Sequence, residues 1–324
     1  MSKRVSLQTR VDNYLAERRR LGYQLHSRDT LLASFARYVA SRHHRGPLTV
    51  ELMADWARQD KWNRGTPGTW AARLALLRHF ARYLKQFEPD TKVPDESIFG
   101  RKPGRVAPHI YREEEIVELL VAASKLGPHG SLRPATFETL LGLMASTGLR
   151  VSEAIHLRDA DVDLKQGMLI VRQTKFAKSR QLPLHASTVE ALSHYRRQRA
   201  RHVPTTVDTP FFISSRGRRL GQPLSERQAH RVFATLRDRL GWVNRGAHNA
   251  PRLHDIRHTF AVRRVMLSHA EGTDVDQMML ALSTYMGHAE IKHTYWYLTA
   301  VPELMALAGG KFERFAYLPG DGDE

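Results

Sequence analysis

Two neighbouring segments, Gly167–Lys175 (GMLIVRQTK) and Ser179–His185 (SRQLPLH), are the β-rich runs of this chain. A short polar turn separates them, which is the pattern of a β-hairpin. On both sides of the pair, apolar residues recur at three- and four-residue steps, which is typical of amphipathic helices. The sequence therefore predicts a mainly α protein of the α+β class, in which one small antiparallel sheet interrupts the helices.

The first hundred residues read as helices. Thr66 and Pro67 have the residue types of a helix N-cap and a first helical position. The apolar stripe that follows is predicted to be core, and it consists of Trp70, Leu74, Leu77, Ala81 and Leu84. Four basic residues lie off this stripe and are predicted to face water or DNA: Arg73, Arg78, Arg82 and Lys85.

The length of 324 residues favours two domains. We expect a helical DNA-binding domain over 1–88 and a second, mostly helical domain with the small sheet over 109–324. Residues 89–108 contain four prolines and two glycines, so they read as an extended linker. Its Arg101 and Lys102 are predicted to run along a phosphate backbone. A short tail helix is predicted over 302–315, with an apolar patch that docks on its own domain or on a neighbouring copy.

The net charge and the amino-acid composition restrict the classes of function that this chain can have. The net charge is +17, and residues 1–107 alone carry 21 basic and 10 acidic side chains. Such an excess is either a solvated basic surface or a surface for a polyanion, and its extent over a whole domain favours nucleic acid. The chain has no cysteine, which excludes disulfides, thiolate nucleophiles and Cys-based zinc sites. Without a signal peptide or a membrane-length apolar run, we expect a soluble, cytoplasmic protein.

Several polar residues are candidates for chemistry, and each alone has an ordinary structural explanation. Arg150 and Glu153 fit an ion pair at a helix start, and His254 with His258 has the spacing of a metal pair that lacks a third ligand. Lys175 fits a solvated turn, His288 a helix end and Tyr297 an aromatic core. Together, the candidates are Arg150, Lys175, His254, Arg257, His288 and Tyr297.

The combination suits one reaction, the attack of a tyrosine oxygen on a phosphodiester. Negative charge builds on the non-bridging oxygens in the transition state, and arginines supply forked, permanently charged donors for it. The departing 5′-oxygen needs an acid, and the phenol, with a pKa near roughly 10, needs a proton acceptor. Lysine and histidine supply these functions, and no metal, ATP or other cofactor is required.

The order and spacing of these residues resemble the tyrosine recombinase family, which includes the phage integrases. TGLRVSEA (147–154), LHDIRHTFA (253–261) and YMGHAEIKHTYWY (285–297) are similar to its three motifs. The family's nucleophile lies nine residues beyond the histidine of the Gly-His pair, and Tyr297 lies nine beyond His288. The resemblance covers residues 108–315, and more loosely 1–100.

The resemblance implies a role for each residue. Arg150 and Arg257 would hold the scissile phosphate, His288 would donate to a non-bridging oxygen, and His254 would assist proton transfer. Lys175 would be the general acid, with Lys178 on the same turn as the alternative. Tyr297 would form the 3′-phosphotyrosyl link, and Glu153 would support the site from behind. We also expect DNA contacts from Arg73, Arg78, Arg101, Lys102, Lys178 and Arg180.

The family resemblance implies double-stranded DNA as partner, with core recombination sites and a Holliday junction. It also implies a homotetramer on DNA, association with a bacterial nucleoid, and a role in integration, excision or transposition of a mobile element. Because the chain opens with the core-binding pattern, we expect no additional arm-binding domain. Two alternatives remain open, a type IB topoisomerase-like enzyme and a non-catalytic regulator derived from a recombinase.

Tyr295 departs from the family pattern, which usually has a polar or aliphatic residue two positions before the nucleophile. Two phenols therefore lie two residues apart in this chain. On a helix, such residues point about 200° apart, so only one of them faces the arginines. The polar and apolar mixture around them favours a helix. We therefore predict that Tyr297 lies near Arg150, Arg257 and His288, and that Tyr295 is turned away.

Overall fold

The computed structural model describes residues 5–23, 25–59, 65–100, 104–128, 130–172, 179–215 and 217–300. The chain divides into two compact units, Met1–Arg105 and Val106–Glu324. None of the helices in the described ranges is long and apolar enough to cross a membrane.

The regular secondary structure in the described part of the first unit is α-helical. Its helices are α1 (Leu7–Arg20), α2 (His26–Ser41), α3 (Val50–Arg58) and α4 (Pro67–Leu84). Thr66 caps α4, because its hydroxyl accepts a hydrogen bond from the Thr69 backbone N–H at 3.3 Å. The predicted stripe of α4 is buried apart from Trp70, which is half-buried. The prediction of a helical first unit with this core is confirmed.

Residues 89–100 do not form the extended linker that their prolines suggested. The Lys92 N–H donates to the Leu48 carbonyl at 2.9 Å, and Val93, Ile98 and Phe99 pack against the core of the first unit. Because these apolar side chains gain burial there, the segment is part of that unit. Its neighbours 101–103, which include the predicted DNA contacts Arg101 and Lys102, lie outside the described residues.

Two of the arginines predicted to face outward from α4 are engaged within the unit. Arg78 is buried, and its guanidinium donates to the Pro94 carbonyl at 2.9 Å and to Glu96 at 2.7 Å. Arg73 is half-buried, and it donates to the Ala57 carbonyl at 3.3 Å, at the free carbonyl end of α3. The outward prediction was therefore wrong for both, whereas Arg82 and Lys85 are exposed as expected.

The second unit is mostly helical in its described part, with one small sheet. Its elements, in chain order, are α5 (Glu113–Ser124), α6 (Arg133–Thr147), α7 (Val151–Ile155), β1 (Val162–Asp163), β2 (Met168–Val171), β3 (Arg180–Pro183), α8 (Ala186–Ala200), α9 (Glu226–Leu240), α10 (Asp255–Ala270), α11 (Val275–Met286) and α12 (Lys292–Ala300). The mainly α fold class with a small antiparallel sheet is confirmed.

The sheet has the order β1-β2-β3, and both pairs are antiparallel. In the predicted hairpin, Met168 pairs with Pro183 and Val171 with Arg180. Its turn, residues 173–178, lies outside the described residues. The two-residue strand β1 was not anticipated, because two residues are too short for a periodicity signal.

Helix α6 packs against α5, α8 and α10, so it lies at the centre of the second unit. It ends at Gly148, whose φ of +63° favours glycine. A Cβ built on Gly148 would lie 2.4 Å from the Phe260 ring on α10. The close approach of these two helices therefore requires glycine, and it brings Arg150 next to the start of α10.

We predict that Arg78→Ala destabilises the first unit by about 1–3 kcal/mol, because it leaves the Pro94 carbonyl without its buried donor. Arg82→Ala, on the exposed face of the same helix, should change stability by less than about 0.5 kcal/mol. Native-state hydrogen exchange of the α4 amides in the full chain measures both. Equal effects of the two substitutions would contradict the structural role of Arg78.

Candidate active site

The ends of several elements of the second unit meet at one place. Arg150 is the N-cap of α7, Arg180 is the first residue of β3, and Arg257 lies in the first turn of α10. His288 follows the end of α11, and Tyr297 lies on α12. Residues that are far apart in the sequence are thus brought together by helix and strand termini.

Arg257 joins two helix ends. Its guanidinium donates to the Gly148 carbonyl at 2.6 Å and to the Met286 carbonyl at 2.7 Å, and its side chain is only 2% exposed. The last carbonyls of a helix lack partners within the helix and carry partial negative charge, so a cation is favoured there. Burial, followed by the charge of Arg150, lowers the pKa of Arg257 to about 10, which leaves it charged at neutral pH.

Glu153 is the carboxylate at the centre of the arginines. It accepts from the Arg150 backbone N–H at 3.0 Å and from the Arg150 guanidinium at 2.8 Å, which is a capping arrangement for α7. Arg180 donates to both of its oxygens, at 3.2 and 2.9 Å. Burial alone would raise the pKa of Glu153, but the hydrogen bonds and charges of Arg180 and Arg150 outweigh it and lower the pKa to about 2.

Arg180 was predicted to contact DNA, but the structure places it behind the site. Its side chain is 12% exposed, and besides Glu153 it donates from Nε to the Tyr285 carbonyl at 2.8 Å. Gly287 packs directly against it, since a Cβ built there would lie 2.7 Å from the guanidinium. Arg180 therefore connects β3 with α7 and with the end of α11, and its donors face protein.

The cluster has an excess of positive charge. Arg150, Arg180 and Arg257 all lie within ion-pair distance of the single carboxylate of Glu153. Three guanidinium groups against one carboxylate leave two positive charges in a partly buried place, where charge interactions are stronger than in water. Arg150 is 34% exposed, so an anion approaching from solvent meets its guanidinium first.

The start of α10 is fixed by a buried carboxylate. Asp255 accepts from the Arg252 backbone N–H at 2.8 Å and from the Arg252 guanidinium at 2.7 Å. His254, the residue before the helix, is exposed. Desolvation by the surrounding protein, followed by the charges of Arg257 and Arg252, lowers the pKa of His254 to about 4. The ring is therefore neutral at neutral pH.

His288 is oriented by a hydroxyl. Its Nδ1 lies 2.7 Å from the hydroxyl of Thr294, a fully buried residue of α12. If the hydroxyl donates, Nδ1 is the acceptor, and the proton of a neutral ring is then on Nε2. The backbone N–H of His288 bonds to the Ser283 carbonyl at 3.0 Å, which closes the end of α11 around Gly287.

The two tyrosines of α12 point to different partners. The Tyr297 side chain is 2% exposed, its hydroxyl lies 3.1 Å from His258 Nδ1, and its ring stacks with His288 at 6.4 Å between centroids. The Tyr295 hydroxyl donates instead to Asp276, at 2.5 Å, at the start of α11. The helical interpretation of this segment is confirmed, and Tyr295 is turned away from Tyr297.

The remaining predicted site residues lie outside the part of the chain that the structure describes. Lys175 and Lys178 fall within 173–178, and the tail helix falls within 301–324. Among the described residues, no group of three or more histidines and carboxylates has the arrangement of a metal site.

Two residues of the site were missed by sequence reasoning. His258 was considered only as a metal partner of His254, although its spacing from His254 places it on the same face of α10. Thr294 carries no signal that distinguishes it from an ordinary helical threonine, because its role depends on the fold of the preceding turn.

Known proteins are similar to this chain in sequence and in fold. The sequence matches the phage integrase family over residues 110–303. It is 36% identical over 307 residues to a putative integrase/recombinase, y4rB, of Sinorhizobium fredii, covering 94% of this chain and 96% of that protein. It is 30% identical to the tyrosine recombinase XerC of Thermodesulfovibrio yellowstonii, covering 71% of this chain and 70% of XerC.

Solved structures show the same fold. The Tn1549 transposon integrase in complex with transposon right end DNA has a TM-score of 0.65 at 18% identity, covering 95% of this chain and 99% of that one. A lambda integrase dimer bound to a COC′ core site has a TM-score of 0.60 at 17% identity, covering 90% and 77%. With the family match spanning more than half of its length, this chain belongs to the phage integrase family of tyrosine recombinases.

Proposed function

We propose that this chain is a site-specific DNA recombinase that cuts and rejoins strands through a covalent link between Tyr297 and a 3′-phosphate. One observation carries the proposal. The phenol of Tyr297 is hydrogen-bonded to α10 one residue after Arg257, beside a cluster of three arginines around one carboxylate. Such a cluster suits a phosphodiester, whose transition state gains negative charge on its non-bridging oxygens.

Binding of the phosphate involves the arginines and His288. Arg150 is accessible to solvent, and we assign it the first contact. Arg257 keeps N–H donors beyond the two given to Gly148 and Met286, since a guanidinium has five. With the Thr294 hydroxyl as donor to its Nδ1, His288 gives a third hydrogen bond to the phosphate from Nε2. Glu153 and Arg180 fix the direction of Arg150 without contacting DNA.

The covalent step exchanges one phosphoester bond for another. The Tyr297 oxygen bonds to phosphorus, the bond from phosphorus to the 5′-oxygen breaks, and the 5′-oxygen leaves with a proton from Lys175. Attack by a 5′-hydroxyl of a second strand reverses these steps and releases Tyr297. His254 assists proton transfer, because the bound phosphate raises its lowered pKa by placing a negative charge among the arginines.

Two of the groups used in this scheme are buried in the DNA-free chain. Tyr297 and Arg257 are each 2% exposed. A phosphorus atom reaches the Tyr297 oxygen only after part of the protein that covers it moves. DNA binding therefore includes an opening of the site that leaves the contact between Tyr297 and His258 in place.

The DNA partner is supported by charge and by relatives. The net charge is +17, and Arg82 and Lys85 are exposed on α4 of the first unit. Related integrases and recombinases have been solved in complex with transposon DNA, difH DNA and a core site. We propose that this chain acts on double-stranded core sites of a mobile element, as a homotetramer that passes through a Holliday junction.

We predict that Tyr297→Phe abolishes the covalent DNA adduct and leaves DNA binding unchanged, because it removes only the attacking oxygen. The test uses nicked suicide duplexes tiled across the DNA that flanks the gene, followed by denaturing electrophoresis. Tyr295→Phe is the matched control, and it should form adduct within about threefold of the unmodified chain, since it loses only one exposed hydrogen bond. An adduct in Tyr297→Phe and none in Tyr295→Phe would reverse the assignment.

We predict that Lys175→Ala slows adduct formation by about 10²–10⁴-fold on ordinary DNA. A 5′-bridging phosphorothiolate should restore most of the rate, because a thiol has a pKa near about 8.5 and leaves without a proton. Lys178→Ala is the control on the same turn and should behave like the unmodified chain on both substrates. Rescue by sulfur in Lys178→Ala, but not in Lys175→Ala, would assign the acid to Lys178.

We predict that cleavage and rejoining proceed at an unchanged rate in excess EDTA, because the arginines supply the charge that a metal would supply. Adduct formation with and without chelator on the same suicide duplex measures this. Loss of activity in EDTA that returns with a divalent cation would reopen the pairing of His254 and His258 as metal ligands.

A further inference from the structure

His258 occupies a position that the proposed mechanism does not use. It lies in the first turn of α10, directly after Arg257 and four residues after His254. At this spacing His254 and His258 share one face of the helix, and Arg257 lies at the edge of that face. Its Nδ1 is 3.1 Å from the Tyr297 hydroxyl, and the two rings meet edge to face at 5.5 Å. An imidazole nitrogen therefore lies within hydrogen-bond distance of the Tyr297 oxygen.

The surroundings fix this ring. His254 lies perpendicular to it at 4.7 Å between centroids, and Trp296 lies at 5.7 Å on the side of α12. A buried phenol needs a hydrogen-bond partner from the protein. Because Tyr297 is buried, this partner must lie at a defined position beside its hydroxyl. His258 is half-buried between the two helices. The rings of His254 and Trp296 thus hold the His258 ring against α12.

Two other titratable groups of the site, Glu153 and His288, have hydrogen-bond partners of their own. The Glu153 oxygens accept from Arg150 and Arg180, and Nδ1 of His288 is bonded to Thr294. His258, by contrast, has a ring nitrogen at hydrogen-bond distance from the phenol itself.

We propose that His258 is a further catalytic residue, which holds the Tyr297 phenol and accepts its proton as the oxygen bonds to phosphorus. This inference rests on the proposed function. The O–H bond of Tyr297 breaks, the proton passes to Nδ1 in the tautomer that carries its hydrogen on Nε2, and His258 becomes an imidazolium. In the rejoining step, the imidazolium returns the proton to Tyr297 as the leaving group.

Burial and charge decide the protonation of His258 in the free chain. Burial, followed by repulsion from His254 when that ring is protonated and from Arg252 and Arg257, lowers the pKa of His258 to about 2, so the ring is neutral and its lone pair is available. A bound phosphodiester places negative charge beside the same arginines and offsets their effect on the ring. The affinity of His258 for a proton therefore rises when DNA is present, which is when the phenol must lose its proton.

The test compares His258→Phe, which keeps a ring and removes the acceptor, with His258→Asn, which keeps an acceptor oxygen but takes no proton. The unmodified chain and Tyr297→Phe serve as positive and negative references. The readout is the rate of adduct formation on suicide duplexes with an ordinary 5′-oxygen and with a 5′-bridging sulfur. His194→Phe, an exposed histidine of α8 that lies outside the site, is the control for loss of a histidine.

We expect both His258 variants to be slowed by about a hundredfold or more on both substrates, since sulfur helps the leaving group and not the nucleophile. In the variants, the rate should rise about tenfold per pH unit until the phenol itself ionises, because solvent must then remove the proton. The unmodified chain should lack this rise over the same range. His194→Phe should remain within about twofold on both substrates.

Three results would overturn the proposal: rates of both variants equal to the unmodified chain, rescue by sulfur, or slowing that does not diminish as pH rises. If His258→Phe fails to fold, as shown by its thermal unfolding, His258→Asn alone decides between these outcomes. Failure of the proposed function is distinguishable, because the unmodified chain would then form no adduct on either substrate.

Discussion

The guanidinium of Arg257 is the constraint on which the second unit depends. It donates to the final carbonyls of α6 and α11, two helices that are distant in the sequence, and it lies beside Glu153. A buried cation without partners would be strongly destabilising, so both helix ends must be present for the site to exist. The charge to which we assign phosphate binding is in this way part of the fold, and removing it would disturb both.

The residues that support Arg150 also combine contacts within the fold with contacts that shape the site. Arg180 satisfies the carbonyl of Tyr285 and both oxygens of Glu153, and Glu153 in turn caps α7 and orients Arg150. Each polar group therefore ends a secondary-structure element and also shapes the site. The close contact of Gly287 with Arg180 leaves no room for a side chain, which explains a glycine at this position before His288.

Tyr297, to which we assign the role of nucleophile, is held by different contacts from those of the arginines. Tyr297 is buried and hydrogen-bonded to His258, while Tyr295 on the same helix is tied to Asp276. Both phenols thus hold α12 in place, one toward α10 and one toward α11. In the proposed function, this burial keeps the Tyr297 oxygen away from solvent until DNA binding opens the site.

The sequence by itself determined the helical class, the two strands of the hairpin, the core stripe of α4 and the helix that carries Tyr295 and Tyr297, because periodicity and motif spacing are local properties. The tertiary structure decided the contacts of residues whose partners are distant in the sequence. Arg78 and Arg180 look like surface cations in sequence, but carbonyls and carboxylates brought from other elements take up their donors. The proposed role of His258 likewise depends on its contact with Tyr297 of α12, which lies 39 residues later in the chain.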